Sequence, residues 1–141
     1  MTVGIIGLGL IGGSLAKAIR RHYPNTIMNA FDINHTTLNQ SLEEGIINTA
    51  VYKISDIEKK FTNCDYIFLC TPIESFPTFL PKLKKVLDKH TILSDVGSVK
   101  SCVHKEIDAF GFNSYFIGGH PMAGSEKSGY GHSSEILLEN A

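Results

Sequence analysis

Short apolar runs alternate along this chain with segments whose apolar residues recur every third or fourth position. Thr2-Val3-Gly4-Ile5-Ile6 is a run of the first kind and predicts a buried strand. Ile11, Leu15, Ala18 and Ile19 then fall at helical spacing. Ile27 to Phe31 predicts a second strand, followed by a polar helix around Thr36 to Glu44 that Gly45 stops. Thr49 to Tyr52 is a short third strand, and Tyr66-Ile67-Phe68-Leu69-Cys70 is apolar enough to be a strand covered on both faces. Phe76, Phe79, Leu80, Leu83, Val86 and Leu87 trace one face of a helix whose first turns Pro77 and Pro81 disturb. Thr91 to Ser94 predicts a fifth strand, Val99 to Phe110 a helix, Tyr115 to Ile117 a sixth strand, and Ser133 to Ala141 opens another amphipathic segment. Strands alternating with helices imply an α/β fold. The expected form is a doubly wound, mostly parallel sheet of the Rossmann type, with helices on both faces and strand order 3-2-1-4-5-6.

The turn between the first strand and the first helix carries Gly7-Leu8-Gly9-Leu10-Ile11-Gly12, and Asp32 closes the next strand about twenty residues later. A glycine triplet alone is weak evidence. Set between a strand and a helix, with an acid at that offset, it is a dinucleotide-binding fingerprint. Gly7 permits the tight turn, Gly9 lets a pyrophosphate approach the backbone, and Gly12 lets the helix pack closely on the sheet. The backbone of Leu10 and Ile11 opens the helix, whose free N–H groups and partial positive charge suit phosphates. Asp32 suits the two hydroxyls of an adenine ribose and repels a 2′-phosphate, and no Arg follows it at Ile33, Asn34 or His35. The expected cofactor is therefore NAD rather than NADP. The plain alternative is a glycine-rich turn with an incidental surface Asp.

Composition narrows the class further. The 141 residues suffice for one domain with a core, and 43% hydrophobic and 19% charged residues are ordinary globular proportions. A formal net charge of −1 gives no support for a nucleic-acid or membrane partner. Cys64, Cys70 and Cys102 are odd in number and lack a CxxC spacing, which fits a reducing cytoplasm better than disulfides or structural zinc. The histidines show no HxxxH spacing, so no metal site is expected.

Ligands of open α/β sheets bind beyond the carboxyl ends of the strands. Three further motifs lie at such ends: Cys70-Thr71-Pro72, Asp95-Val96-Gly97-Ser98-Val99-Lys100, and Gly118-Gly119-His120-Pro121-Met122-Ala123-Gly124-Ser125-Glu126-Lys127-Ser128-Gly129. Thr71 and Pro72 are expected to line the dinucleotide cleft. Lys100 is expected to pair with Asp95, and Ser98 can cap the helix that starts near Val99.

GLGLIGGS, DVGSVK and above all GGHPMAGSEKSG resemble the prephenate dehydrogenase family, which includes arogenate dehydrogenases, over essentially the whole chain. The resemblance implies oxidative decarboxylation of prephenate with NAD(P)+ on the route to tyrosine. It also implies a C-terminal helical domain that dimerises and completes the substrate site; that domain is not seen within residues 1–141, which read as the N-terminal dinucleotide-binding domain. By the resemblance, His120 is the catalytic histidine and Ser98 its hydrogen-bonding partner, while Ser98, His120, Ser125 and Glu126 line the substrate pocket. The chemistry agrees: as hydride leaves the carbinol carbon, the ring hydroxyl must lose its proton, and a neutral histidine is the natural acceptor.

Prephenate carries two carboxylates, which bidentate arginines recognise best. The two arginines of the chain, Arg20 and Arg21, lie at the far end of the first helix, so the clamp is expected from elsewhere in the protein. The rivals are an arogenate dehydrogenase, or a non-catalytic NAD-binding module, for which His120 and Ser98 would serve no purpose.

Overall fold

The computed structural model describes residues 1–139. Strands β1 (Thr2–Ile6), β2 (Ile27–Phe31), β3 (Thr49–Val51), β4 (Tyr66–Leu69), β5 (Ile92–Asp95) and β6 (Phe116–Ile117) form one sheet. Every pairing is parallel, and the order is β3-β2-β1-β4-β5-β6, the doubly wound arrangement expected from the hydrophobic pattern. Helices α1 (Leu10–His22), α2 (His35–Glu43), α3 (Ile57–Lys60), α4 (Phe76–Leu83) and α5 (Lys100–Phe110) make the crossovers.

Strand alternation divides the core in two. On β1, Val3 and Ile5 point to the side of α1 and α2, where they meet Met28, Ala30 and Leu38. Ile6 points to the opposite side, where Phe61, Phe76, Leu80, Val103 and Ile107 pack beneath α3, α4 and α5. Phe61 and Phe76 are fully buried, each contributing about 2 kcal/mol from lost contact with water. Two faces covered by helices explain why the central strands are nearly continuous apolar runs.

Four local features depart from the periodicity. The fully buried positions of α1 are Gly12, Gly13, Ser14 and Ala16, whereas Ile11, Leu15, Ala18 and Ile19 are half-buried. Small residues let this helix come close to the sheet, and its larger side chains fill the margins. The helix expected to reach Leu87 ends at Leu83; a 3-10 turn at Ile73–Ser75 leads into it, and Pro77 sits at its start, where a missing N–H costs nothing. A 3-10 turn at Ile54–Asp56 and the single-turn helix α3 lie where no element was expected; they exist because Ile57 and Phe61, four residues apart, both reach the core. Tyr130–His132 forms a 3-10 turn, and residues 135–139 form turns rather than a continuous helix. Asn140 and Ala141, the end of the expected amphipathic segment, lie outside the described residues.

Candidate functional site

The glycine loop leaves β1 with Gly7 at φ 97°, a left-handed conformation that a side chain would strain. A Cβ on Gly12 would run into the carbonyl oxygen of Gly7 and lie 2.9 Å from the Cβ of Cys70. A Cβ on Gly9 would meet nothing within 4 Å, so the space above this glycine is open. Gly9 occupies the N-cap position of α1 and supplies no side-chain cap. The first N–H groups of the helix are therefore available to an external acceptor, as a pyrophosphate requires.

Asp32 stands beside this loop and holds it. One carboxylate oxygen accepts from the Leu8 N–H at 2.6 Å and the other from the Asn34 N–H at 2.8 Å. Each oxygen keeps a second acceptor position, so Asp32 can brace the loop and still receive ribose hydroxyls. A cleft of about 260 Å³ runs from Gly7 and Asp32 past Ile33 to Thr71, Pro72 and Ser75. Its floor includes Phe31 and Phe79, which meet edge to face at 5.4 Å. Thr71 and Pro72 line this hollow together with Gly7 and Asp32, and the Thr71 hydroxyl accepts from Ser75 at 2.8 Å. An open glycine, unpaired helix N–H groups and a bordering carboxylate fit a dinucleotide.

A second hollow, about 230 Å³, opens farther along the same rim. Leu15, Phe68, Asp95 and Val96 line it together with Gly119, His120 and Pro121. His120 is solvent-exposed at its mouth. The expected Asp95–Lys100 pair is present, with Lys100 Nζ 2.6 and 2.7 Å from the two carboxylate oxygens and the Asp95 side chain fully buried. Ser98 is exposed, and no hydrogen bond joins it to His120 among the described residues. Nor does it cap α5. Val99 takes the N-cap position without a side-chain cap bond, which leaves Ser98 one residue too early. Ser125 accepts from the Lys127 N–H at 3.1 Å, and Ser125 and Glu126 are exposed on the loop beyond His120. This loop carries Met122 at φ 49°, an unusual conformation for a residue with a side chain.

Burial pushes the thiol of Cys70, at the end of β4, up to about 12, with the Asp95 charge adding to the effect. Arg20 is committed to structure: it donates to the carbonyls of Pro24, Thr26 and Ile46 and to the Asn48 side chain. Arg21 pairs with Glu139 at 3.1 Å. Neither reaches the rim.

Tyr130 carries a role that the periodicity did not reveal. It is buried, and its hydroxyl donates to Glu44 at 2.6 Å. The Lys17 ammonium lies 4.4 Å from its ring centre. The neighbouring Ser133 donates to the Tyr130 carbonyl, and the Ser134 N–H donates to Ser14 Oγ on α1. The far end of the His120 loop is thereby tied to α1. A lone Tyr after Gly-rich sequence carried only its size as a signal.

A doubly wound parallel sheet with a glycine loop at its first crossover and an acid after β2 defines a dinucleotide-binding domain of the dehydrogenase type. The model of the nucleotide-binding domain of prephenate dehydrogenase matches residues 15–141, and the chain belongs to that family. It is 37% identical over 143 residues to the prephenate dehydrogenase of Bacillus subtilis (strain 168), covering 99% of this chain and 38% of the relative. Among solved structures it resembles prephenate dehydrogenase from A. aeolicus in complex with hydroxyphenyl propionate and NAD+, with a TM-score of 0.87 and 33% identity over 99% of this chain and 48% of that one. Synechocystis arogenate dehydrogenase follows with a TM-score of 0.82 and 34% identity over 97% of this chain and 46% of that one. The chain therefore spans less than half the length of each of these proteins. No helix among the described residues is long and apolar enough to cross a membrane.

Proposed function

We propose that this chain is the NAD-binding part of an enzyme that oxidatively decarboxylates prephenate to 4-hydroxyphenylpyruvate in tyrosine biosynthesis. The observation that carries the reading is His120 on the same strand-end rim as the dinucleotide cleft, at the mouth of a separate hollow. The glycine loop, Leu10 and Ile11 receive the pyrophosphate, Asp32 the adenine ribose, and Thr71 and Pro72 bound the cleft. NAD+, when bound, accepts the hydride. His120 accepts the proton of the ring hydroxyl, and loss of CO2 makes the ring aromatic, so little further acid–base help is needed. Ser98, Ser125 and Glu126 line the substrate side. Ser98 and His120 are both exposed, so each is open to a bound substrate.

The substrate carboxylates are held by residues outside 1–141, because Arg20 and Arg21 are occupied away from the rim. We place those residues in a helical, dimerising C-terminal domain of a cytoplasmic homodimer. The near-equal likeness to the Synechocystis arogenate dehydrogenase favours one second reading, in which arogenate is the substrate.

Steady-state assays of the full-length enzyme with both substrates, on wild type, His120→Asn and Ser98→Ala, test these assignments. His120→Asn should retain NAD+ affinity and lose turnover by roughly 10²–10⁴-fold, with a smaller loss for Ser98→Ala. Full turnover by His120→Asn would show that another group takes the proton.

A further inference from the structure

His120 makes no hydrogen bond of its own among the described residues, yet a proton acceptor must be held in place to be useful. The residue that precedes it is held unusually well. Asp95, at the end of β5, accepts from the Gly119 N–H at 3.2 Å, and Lys100, in the first turn of α5, donates to the Gly119 carbonyl. Both polar groups of one peptide residue are thus taken by one ion pair. That pair is itself anchored, since Asp95 also accepts from the Gly97 N–H at 2.8 Å and its side chain is fully buried. The approach leaves no room for a side chain: a Cβ on Gly119 would lie 2.7 Å from the Asp95 carbonyl oxygen.

β6 cannot supply this rigidity. It is two residues long, lies at the edge of the sheet, and pairs only through Phe116 and Ile117. The loop from His120 onward is mostly exposed until Tyr130 is buried against α1 and α2. A histidine carried on such a loop would be poorly placed without an anchor beside it.

We infer that Asp95 and Lys100 are positioning residues whose ion pair, by gripping Gly119, sets the backbone from which His120 addresses the substrate. The inference rests on the reading of His120 as the proton acceptor. A buried carboxylate left without its cation is costly, so the pair acts as one unit, and loss of either member releases the Gly119 peptide. Asp95 and Lys100 do not line the hollow bounded by Gly7, Asp32 and Thr71, so their effect on the His120 loop is read separately from NAD+ affinity.

The test uses the full-length enzyme with Asp95→Asn, Lys100→Met and His120→Asn. Amide hydrogen exchange at Gly119 and kcat are read alongside NAD+ affinity. For Asp95→Asn and Lys100→Met, we expect faster Gly119 exchange, a fall in kcat of roughly 10- to 100-fold, the order that a misplaced catalytic group costs, and NAD+ affinity unchanged within about twofold. If Asp95→Asn does not fold, Lys100→Met decides alone: it frees the Gly119 carbonyl and removes the cation that holds the Asp95 carboxylate against the Gly119 N–H. Wild-type kcat in a folded variant, with His120→Asn still impaired, would overturn the inference. So would unchanged Gly119 exchange. Full turnover by His120→Asn would instead overturn the assignment of His120, and with it the catalytic part of this inference, while Gly119 exchange would still report whether the grip exists.

Discussion

Tyr130 and Glu44 are 86 residues apart in sequence and joined by a 2.6 Å hydrogen bond. The bond ties the segment after the His120 loop to the C-terminal end of α2, and the Tyr130 ring packs beneath Lys17 of α1. Its two partners respond in opposite directions. The hydrogen bond from Tyr130 holds the Glu44 carboxyl below its usual range, and burial together with Glu44 pushes the Tyr130 hydroxyl up.

The consequence for stability has a definite sign. Glu44 binds its proton more weakly folded than unfolded, so its contribution is present above the unfolded value and is lost as pH falls through the folded one. Tyr130→Phe should lower stability at pH 7 by about 1 kcal/mol, the scale of one hydrogen bond to a charged but exposed partner. It should also flatten the acid limb of the stability profile. Urea titrations at pH 7 and at mildly acid pH measure both effects; identical midpoints for wild type and variant at each pH would show that the bond contributes nothing.

Cofactor preference follows from Asp32. NAD(H) should bind clearly more tightly than NADP(H), because a 2′-phosphate would meet the carboxylate. Because Asp32 also accepts from the Leu8 N–H, Asp32→Ser with Ile33→Arg should move the preference towards NADP(H) while weakening both dinucleotides. Asp32→Asn, which keeps an acceptor for Leu8, should relax discrimination with less general loss. Calorimetry with both cofactors decides; equal affinities in the wild type would remove Asp32 from the role.

Thiol reactivity should separate the three cysteines. Burial pushes Cys64 and Cys70 each up to about 12, whereas Cys102 is exposed on α5. A thiol-specific reagent at pH 8 should therefore modify one cysteine quickly in the native chain and all three in denaturant. Mass spectrometry locates the fast site; Cys70 is only half-buried, so labelling of Cys70 as fast as Cys102 would show that its thiol is not raised.

The 141-residue chain by itself should fold and bind NAD+ but not turn over prephenate. Gly7, Asp32, Thr71 and Pro72, which we propose receive the dinucleotide, all lie within this stretch and line one hollow, whereas no arginine stands at the rim to hold two carboxylates. An NAD+ titration and a turnover assay on the same preparation check the two halves. Near-normal turnover would refute the divided site, and no NAD+ binding would show that the cleft depends on residues elsewhere.

Much of this architecture is written locally. Runs such as Tyr66–Leu69 must be covered on both faces, glycines at positions 7 and 12 allow the tight turn and close packing of α1, and Asp32 follows at the offset that a βαβ unit dictates. Such features depend on neighbours a few residues away, so the strand order could be read from periodicity and spacing alone, and the glycine loop and Asp32 could be placed at one end of the sheet. Other relationships had no local trace. The grip of Asp95 and Lys100 on Gly119 and the bond of Tyr130 to Glu44 join residues 19 to 86 positions apart. Short helices such as α3 are stabilised by what Ile57 and Phe61 reach rather than by their own turns, because a single turn cannot offset its nucleation cost. Sequence periodicity records which face of an element is buried; only the packed chain decides which distant polar group lies opposite.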